Sequence, residues 1–542
     1  MPRTVEILQS YGVGDDLLRK GHRAYFFCNY NYDPATAGIK FSSKLQGINE
    51  PTAQHKCCIL HHQGFIESLL LSGLLQAGVK VERACKPVKM ALSEDESEFD
   101  NPKAYPVKLV LEHAAAAPGT PSTEAVRAKF VVGADGAHSW VRRTLDIAME
   151  GDSTSRVWGA IDFTPLPSST FPDWRNIATV NARDAGLMLI PREDGKVRLY
   201  IELGTEDALP RDARGRPDTS GLSPAALLDI ARGVFKPYTL ETRPEDVEWW
   251  TAYIVGQRVA ARFAEKRRVF IVGDACHTHS PKGGQGMNVS ISDGHNLAWK
   301  IAHVLKSWSP MSLLDTYEAE RRPFAQELIA FDRWYAEGFS AKARAKLVAD
   351  TADGAGVALP GPLEAFLSFS AITTGVGIHY AASAITSPTS SPEPGAAAPG
   401  PFALMPGKRV PPHALVRVAD RRPLTLQDAL PADGRARLLV FSGALTGADD
   451  AARMVSIERA VKALVDRVWK ERFALVVVLA RVGDATPYLD VPMGLREDWT
   501  SVLVDAVSPF SNESGGAYAA LGVPASGQIV VKLEQYLHGW MI

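Results

Sequence analysis

A carboxylate and a glycine-rich turn stand close together in the run from Val269 to Asn288, VFIVGDACHTHSPKGGQGMN. Asp274 comes just after Val269–Val272, a continuous apolar run that predicts a strand buried on both faces. The carboxyl end of such a strand faces the ligand crevice of an open α/β sheet, where a carboxylate can accept hydrogen bonds from ligand hydroxyl groups. The residues therefore predict a site for a sugar or polyol at Asp274.

Three glycines follow this carboxylate, and each lets the backbone approach a flat or anionic group without a Cβ in the way. They are Gly283, Gly284 and Gly286. Beyond them, apolar residues recur at helical spacing as far as Leu305. The turn is therefore predicted to open onto a helix, whose positive amino end can stabilise an anion such as a reduced ring system.

Two other interpretations of this run stay open. Cys276, His277 and His279 could ligate a metal ion, although a zinc site usually needs a second pair of ligands and the sequence has none nearby. The glycines could also form a turn that binds nothing.

The segment GDACHTHSPKGGQGMN resembles the second flavin-binding motif of the FAD-dependent aromatic hydroxylases, in the phenol hydroxylase branch of the p-hydroxybenzoate hydroxylase superfamily. The resemblance implies that Asp274 meets the ribityl chain of FAD and that Gly284 to Asn288 lies along the isoalloxazine ring. The cofactor contacts it implies in this segment are Asp274, Pro281, Gly284, Gln285, Gly286, Met287 and Asn288.

Three further cofactor contacts are implied elsewhere in the chain. The run FVVGADGAHSWVRR predicts a second buried strand that leads to Asp135, and it resembles the family's DG motif for FAD and the nicotinamide cofactor, although Asp-Gly also marks ordinary turns. Gln63 lies in the first turn of a helix predicted over His62 to Leu75, where the family has a FAD contact; a solvated polar residue is the alternative. Arg3 matches a family arginine that approaches the flavin.

The sequence contains no complete GxGxxG fingerprint of a dinucleotide-binding unit. Gly12 and Gly14 begin one, but Leu17 stands in the position of the third glycine. In the resembling family the segment PRTVEIL follows the first βαβ unit, so we expect the chain to start inside the flavin domain, after the family's aspartate base. Thr4 to Leu18 predicts a short amphipathic helix.

A predicted hairpin carries the candidate catalytic side chains. In Leu187 to Leu203, a three-residue loop at Glu193–Gly195 would place Arg192 and Tyr200 on one face, whereas a two-residue turn would place them on opposite faces. The resemblance favours the shared face and implies an active-site pair, with the tyrosine hydroxyl near both the substrate phenol and the flavin. Cross-strand packing is the alternative role for Tyr200.

Two more segments are typical of the family. In the first, GQR, Arg258 is a candidate contact for the phosphates of FAD or NADPH, or a plain salt-bridge residue. The second, YEAERRPFA, lies within Leu313 to Phe331 and is interpreted as structural packing.

Composition limits the possible partners. The net charge of −2 is spread over interspersed acidic and basic residues, so we expect no nucleic-acid partner. Five cysteines without framework spacing indicate a reducing compartment. The first residues lack the apolar core of a signal peptide, and the longest apolar runs are strand-sized. We therefore expect a cytoplasmic protein with a small-molecule partner and no membrane contact.

The fold class expected from these elements and the resemblance is α/β (α+β), with an incomplete Rossmann-like FAD-binding domain, an inserted β-sheet substrate domain and a C-terminal thioredoxin-like domain. The expected bounds are 1–156 and 249–382 for the FAD-binding domain, 157–248 for the substrate domain, 383–401 for a linker and 402–542 for the last domain. The last domain contains no cysteine, which excludes disulfide exchange. The resemblance implies that it makes the contacts of a homodimer.

Individual elements are also predicted. Val79 to Arg83 and Val107 to Leu111 have strand patterns, and Ala114 to Ala125 has the composition of a surface loop. In the last domain the predicted elements are strands at Leu438–Phe441, Phe473–Leu479, Val502–Val504 and Ile529–Lys532, and a helix at Asp449–Lys470.

The function implied by the resemblance is a monooxygenase that hydroxylates a phenolic ring with FAD, NADPH or NADH, and dioxygen. The substrate would be a simple phenol or an aromatic polyketide of secondary metabolism. A positive Arg192 and a hydrogen bond from Tyr200 would favour the reactive phenolate. The alternative is a flavin-free relative that acts as a dimeric accessory or binding protein; binding of FAD and consumption of NADPH with a phenol separate the two.

Overall fold

Apolar patterning shapes the strands and helices in a computed structural model of this chain. It describes all residues except 115–121, 184, 206–209, 212–217, 220, 339–368, 387–399, 444–449, 466–470, 481–487, 497, 507–514, 525, 534–535 and 542. The described helices are α1 Pro2–Ser10, α2 Gly14–Lys20, α3 Gln63–Gln76, α4 Ser97–Asp100, α5 Trp140–Thr144, α6 Pro224–Phe235, α7 Gly286–Leu305, α8 Asp315–Gly338, α9 Ser370–Thr373, α10 Asp450–Val465 and α11 Ala517–Leu521.

The strands follow the same order along the chain. They are β1 His22–Ala24, β2 Phe26–Asp33, β3 Gly38–Gln46, β4 Cys58–Leu60, β5 Cys85–Leu92, β6 Val107–His113, β7 Thr123–Ala128, β8 Val131–Gly133, β9 Met149–Phe163, β10 Ile177–Asn181, β11 Gly186–Pro191, β12 Val197–Thr205, β13 Val247–Ala260, β14 Ala264–Glu265, β15 Val269–Ile271, β16 His277–Thr278, β17 Ala414–Arg417, β18 Pro423–Thr425, β19 Ala436–Phe441, β20 Phe473–Leu479, β21 Val502–Val504, β22 Gln528–Leu533 and β23 Tyr536–Met541.

Two short parallel strands carry the predicted cofactor motifs to one edge of a sheet. β15 pairs with β8 in a three-stranded sheet with β14, and Ile271 lies opposite Gly133. The side chains of Val269 and Phe270 are fully buried, and burial of one such side chain contributes roughly 1.5–3 kcal/mol. The predicted strand at Val269–Val272 is confirmed as buried, whereas β8 forms as predicted but is only partly buried, with Val132 44% exposed, because β8 lies at the edge of this sheet. The turns after the two strands are neighbours because parallel strands end at the same edge.

An eight-stranded sheet forms the second layer, in the order β16-β13-β9-β12-β11-β10-β2-β3. One face packs its apolar side chains, including Leu189 and Leu199, against Leu227 and Phe235 of α6. The other face carries Met188 and the alternate residues of the same strands. Since side chains alternate between the faces of a strand, this second face is free to line a site.

The sheet is larger than the substrate domain that the sequence predicted. β2 and β3 belong to it although they precede residue 157, and β9 and β13 run through the expected boundaries at 156/157 and 248/249. These two strands pair from Met149 opposite Ala260 to Phe163 opposite Val247, with register shifts between Val247 and Trp249 and between Ile254 and Gly256, so one long pair of strands runs across both expected boundaries.

The hairpin between β11 and β12 has the three-residue loop that places Arg192 and Tyr200 on one face. The backbone N–H of Arg192 donates to the carbonyl of Lys196 at 2.8 Å, and Gly195 has a φ of +79°. Pro191 then lies opposite Val197 and Met188 opposite Tyr200, so Arg192 lies on the same face as Tyr200.

Three local predictions are wrong. The single helix over Thr4–Leu18 is two helices, α1 and α2, because the chain turns at Gly12, whose φ is +78°. Val79–Arg83 is not a strand: its residues are exposed and pair with none of the described strands, and the strand forms later, as β5. Part of the loop predicted over Ala114–Ala125 is β7, which pairs with β6; residues 115–121 lie outside the described part.

The C-terminal unit is a seven-stranded sheet in the order β18-β17-β21-β20-β19-β22-β23. β19 and β20 are parallel and joined through α10, which confirms the predicted βαβ order. β17, β18 and β23 were not predicted from the sequence. Most of the linker predicted at 383–401, and residues 466–470 of the predicted helix, lie outside the described residues. None of the described helices is both long and apolar enough to cross a bilayer.

Candidate functional site

A cavity of about 780 Å³ lies between the turn after β15, the amino end of α7 and the open face of the eight-stranded sheet. Its volume falls in the range of small-molecule sites. The residues predicted from the sequence that line it are Gln63, Arg192, Tyr200, Arg258, Asp274, Pro281, Gly284, Gln285, Gly286, Met287 and Asn288. We call the part formed by residues 273–288 the loop end, and the part formed by Arg192, Arg198, Tyr200, Tyr253 and their apolar neighbours the sheet end.

The loop end offers a carboxylate and free backbone donors. Asp274 is exposed within a short 3-10 turn, and it is one of the residues that line the cavity. A second such turn ends at Gly284, whose φ of +59° lies in the left-handed region that favours glycine. α7 begins at Gly286 and no side chain caps its amino end, so its first N–H groups are available to a ligand. A flat or anionic group with a hydroxylated chain fits this set of donors and acceptors.

A buried carboxylate on α7 holds the start of the loop from behind. Asp293 is 1% exposed and accepts hydrogen bonds from the backbone N–H of Gly273 at 3.1 Å, from Nε2 of His277 at 2.7 Å and from Nε of Arg321 at 2.7 Å. Burial opposes the charge of Asp293, but Arg321 and His277 lower its pKa overall. Because Gly273 immediately precedes Asp274, these bonds determine where that side chain lies.

A second buried carboxylate, on α8, holds the end of the same loop. Asp332 accepts from the backbone N–H of Ser280 at 2.8 Å, from its hydroxyl at 2.5 Å and from Nε2 of Gln257 at 2.7 Å. The segment YEAERRPFA, interpreted as structural packing, supplies Tyr317, whose hydroxyl donates to the carbonyl of Ile271, as well as the Arg321 that pairs with Asp293. Helices α7 and α8 therefore hold both β15 and the loop after it, which carries Asp274.

The three residues weighed as metal ligands have different surroundings. Cys276 is buried, and that burial raises the pKa of its thiol. His277 pairs with Asp293, and His279 lines the cavity, where its Nδ1 donates to the carbonyl of Ser280 at 2.9 Å. Burial lowers the pKa of His279, so its ring is neutral at pH 7 and its Nε2 is an acceptor. Among the residues that the structure describes, no three metal-ligating side chains come together.

The sheet end is a network of charged and phenolic side chains. Arg198 binds both oxygens of Asp162, at 2.6 and 2.7 Å, and its Nη1 donates to the Tyr200 hydroxyl at 3.3 Å. Burial opposes the charge of Arg198, but the bonds to Asp162 raise its pKa overall. Arg192 also bonds to Asp162, at 2.6 Å, so its positive charge is already compensated. Tyr253 lines the same end, and burial raises its pKa, which keeps its hydroxyl a donor.

Asp162 and Arg198 were not singled out from the sequence. Asp162 is fully buried on β9 between Ile161 and Phe163. A lone carboxylate in an apolar strand was the available signal, because a buried carboxylate needs a partner. That partner could not be identified from the sequence, since it depends on the pairing of β12 with β9, which places Arg198 directly opposite Asp162.

Two predicted cofactor contacts do not line the cavity. Arg3 is 2% exposed, and its guanidinium pairs with Glu6 at 3.4 Å. Asp135 accepts from the backbone N–H groups of Trp140 and Val141, at 2.6 and 3.0 Å, and so satisfies the amino end of α5. In each case a local donor or counter-charge holds the side chain away from the cavity.

Two arginines on neighbouring elements, α5 and β13, lie beside the loop end. Arg142, after the DG turn, donates to the carbonyls of Ala275 and Ala137, both at 2.9 Å. Arg258 lies on β13 opposite Thr278. Both line the cavity, so the predicted phosphate contact at Arg258 has a second cation near it.

Comparison with protein families gives two matches. Residues 1–332 match a family described as an FAD binding domain. Residues 378–536 match the phenol hydroxylase C-terminal dimerisation domain.

Curated relatives cover most of the chain. It is 35% identical over 449 residues to a phenol 2-monooxygenase of Aspergillus fumigatus, which covers 82% of this chain and 69% of the relative. It is 34% identical over 447 residues to an FAD-dependent monooxygenase of Aspergillus terreus, with 81% and 67% covered. It is also 34% identical over 455 residues to a 3-hydroxybenzoate 4-monooxygenase of Comamonas testosteroni, with 81% and 67% covered.

Solved structures share the fold. The flavin-dependent monooxygenase PieE, in complex with FAD and substrate, superimposes with a TM-score of 0.69 at 19% identity, over 100% of this chain and 88% of that one. Aklavinone-11 hydroxylase, in a ternary complex with FAD and aklavinone, gives a TM-score of 0.67 at 20% identity, over 100% and 87%.

Proposed function

Because this chain belongs to the FAD-dependent aromatic monooxygenases of the phenol hydroxylase branch, we propose that it hydroxylates a phenolic ring with a reduced nicotinamide cofactor and dioxygen. One observation supports this proposal above the others. The carboxylate of Asp274 and the uncapped amino end of α7 share a cavity with the hydroxyl groups of Tyr200 and Tyr253. A cofactor site and a phenol site are thereby contiguous.

We assign the loop end to FAD. Asp274 would accept from ribityl hydroxyl groups, and the backbone from Gly284 to the start of α7 would lie against the ring, where no Cβ intervenes at Gly284 or Gly286. The positive end of α7 would favour the anionic reduced ring. Bound FAD supplies the electron transfer and oxygen activation that this hydroxylation requires. Arg142 and Arg258 are the proposed contacts for phosphate groups of FAD or of NADPH.

At the sheet end we assign Tyr200 to the substrate oxygen. Arg198 donates to the tyrosine oxygen, so the tyrosine hydrogen is free to point at a second acceptor. A hydrogen bond to the phenol oxygen favours its ionised form and makes the ortho carbon electron-rich. Arg192, expected as a positive group that favours the phenolate, is bonded to Asp162 and would support the site through that carboxylate. Apolar neighbours such as Met188 and Ile190 exclude water from the ring.

The experiment is a titration of the purified protein with FAD, followed by measurement of NADPH oxidation and hydroxylated product over a panel of phenols. We expect FAD binding and product formation, and we expect Asp274→Ala to weaken FAD binding about tenfold or more, since it removes a charged hydrogen-bond acceptor. Asp315→Asn, at an exposed pair with Arg267, is the control. The proposal would be contradicted by a protein that stays colourless with FAD, or by one that consumes no NADPH with any of the phenols tested. Either result would favour a flavin-free accessory protein.

We also propose that the chain forms a homodimer through its C-terminal unit. The proposal is supported by the match to a dimerisation domain and by three large apolar side chains exposed in one stretch, Leu489, Met493 and Trp499. Sedimentation should give twice the 58.7 kDa of one chain. Met493→Asp should shift the protein to the monomer, whereas Leu75→Asp, at an exposed leucine of α3, should not. A monomeric wild-type protein would contradict this proposal.

A cytoplasmic location is the remaining proposal, supported by five thiols that are all free. A fluorescent fusion seen in a membrane-bounded compartment would contradict it.

A further inference from the structure

Three carboxylates surround the two arginines at the sheet end. Arg192 bonds to Asp162 at 2.6 Å, contacts Glu193 and lies 3.7 Å from Glu248. Arg198 binds the same Asp162 through two hydrogen bonds. Arg192 and Asp162 are 4% and 0% exposed, so neither depends on solvent to balance its charge.

The ion pairs of this cluster join equal numbers of positive and negative side chains, and the neighbouring Arg175 donates to the backbone carbonyls of Arg192 and Lys196. Lys196 contacts Glu248 and completes it, so Arg192, Arg198 and Lys196 face Asp162, Glu193 and Glu248. His61 also lies 3.6 Å from Glu193. Burial lowers the pKa of His61, so at neutral pH its ring adds no charge to the cluster.

The other arginines that line the cavity belong to the loop end. Arg142 is bonded to the carbonyls of Ala275 and Ala137. Arg258 lies five residues beyond Tyr253 on β13, opposite Thr278 of the loop end. Neither guanidinium is therefore placed beside a ring held at Tyr200.

We propose that the sheet end selects phenols without a carboxylate, an inference that rests on the proposed hydroxylation. A phenol is uncharged at neutral pH because its pKa is about 10, whereas a benzoic acid is ionised. An ionised carboxylate would lose its hydration here, and the guanidinium groups beside it already have carboxylate partners. Relatives named for phenol and for 3-hydroxybenzoate are similarly identical to this chain, and the charge balance of the site favours the first class.

The test compares phenol with 3-hydroxybenzoate on the full chain loaded with FAD. Both the dissociation constant, by calorimetry, and kcat/KM are measured. We expect phenol to be preferred by roughly 100-fold or more, the order of effect expected for a buried charge without a partner. Asp162→Asn removes one negative charge beside both arginines. It should therefore strengthen the binding of 3-hydroxybenzoate and reduce the preference for phenol about tenfold. Asp246→Asn, at an exposed pair with Arg243 outside the cavity, should leave the preference unchanged.

Glu248→Gln provides a second variant in case Asp162→Asn does not fold, because Glu248 is the 42% exposed member of the cluster. It should shift the preference in the same direction by a smaller factor. Equal binding of the two ligands by the wild-type protein, binding of neither, or an unchanged preference in folded variants would overturn the inference. If phenol binds but is not hydroxylated, the proposed function fails while the ratio of dissociation constants still decides the inference.

Discussion

Ser280 donates both its backbone N–H and its hydroxyl to one buried carboxylate, that of Asp332. Ser280 ends the loop that carries Asp274 and His279, and Asp332 comes from α8, 52 residues further along the chain. The position of the loop end therefore depends on Asp332 of α8, a residue that does not itself line the cavity.

Asp332→Asn should weaken FAD binding. The amide retains only one acceptor oxygen for three donors, and hydrogen bonds to a charged acceptor contribute about 1.5–3 kcal/mol each. We expect the dissociation constant of FAD, measured by quenching of flavin fluorescence, to rise about tenfold. The control is Asp152→Asn, which removes the exposed partner of the neighbouring Arg333. A folded Asp332→Asn protein with wild-type affinity would show that Asp332 does not position the loop.

Asp293→Asn should destabilise the protein by about 3 kcal/mol or more, because it removes one charge of the buried Asp293–Arg321 pair. Thermal unfolding followed by circular dichroism measures the loss. Asp315→Asn breaks an exposed pair with Arg267 and should change stability by less than about 1 kcal/mol. Equal effects of the two substitutions would contradict the role given to the buried pair.

Tyr200→Phe removes the hydroxyl that receives the Arg198 hydrogen bond and faces the cavity. We expect kcat/KM for phenol to fall about tenfold or more while the affinity for FAD stays unchanged, because one hydrogen bond to the substrate is lost. Tyr105→Phe, at an exposed tyrosine, controls for loss of a phenol group. An unaltered kcat/KM would leave cross-strand packing as the role of Tyr200.

Acid should destabilise the loop end through His279. Burial lowers its pKa from the ordinary 6.5, so as the pH falls the unfolded chain takes up a proton before the folded protein does. Stability is therefore fully present above about pH 6.5 and is lost as the pH falls through the folded pKa. His279→Gln cannot titrate, and we expect its Tm to fall less than that of the wild type between about pH 7.5 and about pH 5. Parallel Tm curves for the two proteins would refute this expectation.

Local spacing was sufficient to predict the loop end. An apolar run, a carboxylate, three glycines and a helical repeat follow one another from Val269 to Leu305, and the structure has a strand, two tight turns and α7 in that order. Such elements are predictable because residues a few positions apart determine them. The same reasoning left the hairpin register open, and a single backbone bond between Arg192 and Lys196 settles it.

Long-range pairing decided the rest of the site. Arg3 and Asp135 matched cofactor contacts of the resembling family, yet Glu6 and the amino end of α5 hold them outside the cavity. Val79–Arg83 has the residues of a strand but no partner strand among those described, and a strand needs one for its backbone groups.

The sequence by itself determined the family, the cofactor motif and the residues that line the loop end. Only the tertiary structure decided the charge of the sheet end, because Asp162 lies on β9 and its two arginines belong to a hairpin 30 and 36 residues further along the chain. It likewise decided that Asp293 and Asp332 hold the loop end. A buried charge is tolerated only with its partner, and that partner is chosen by the packing of strands and helices rather than by neighbours in sequence.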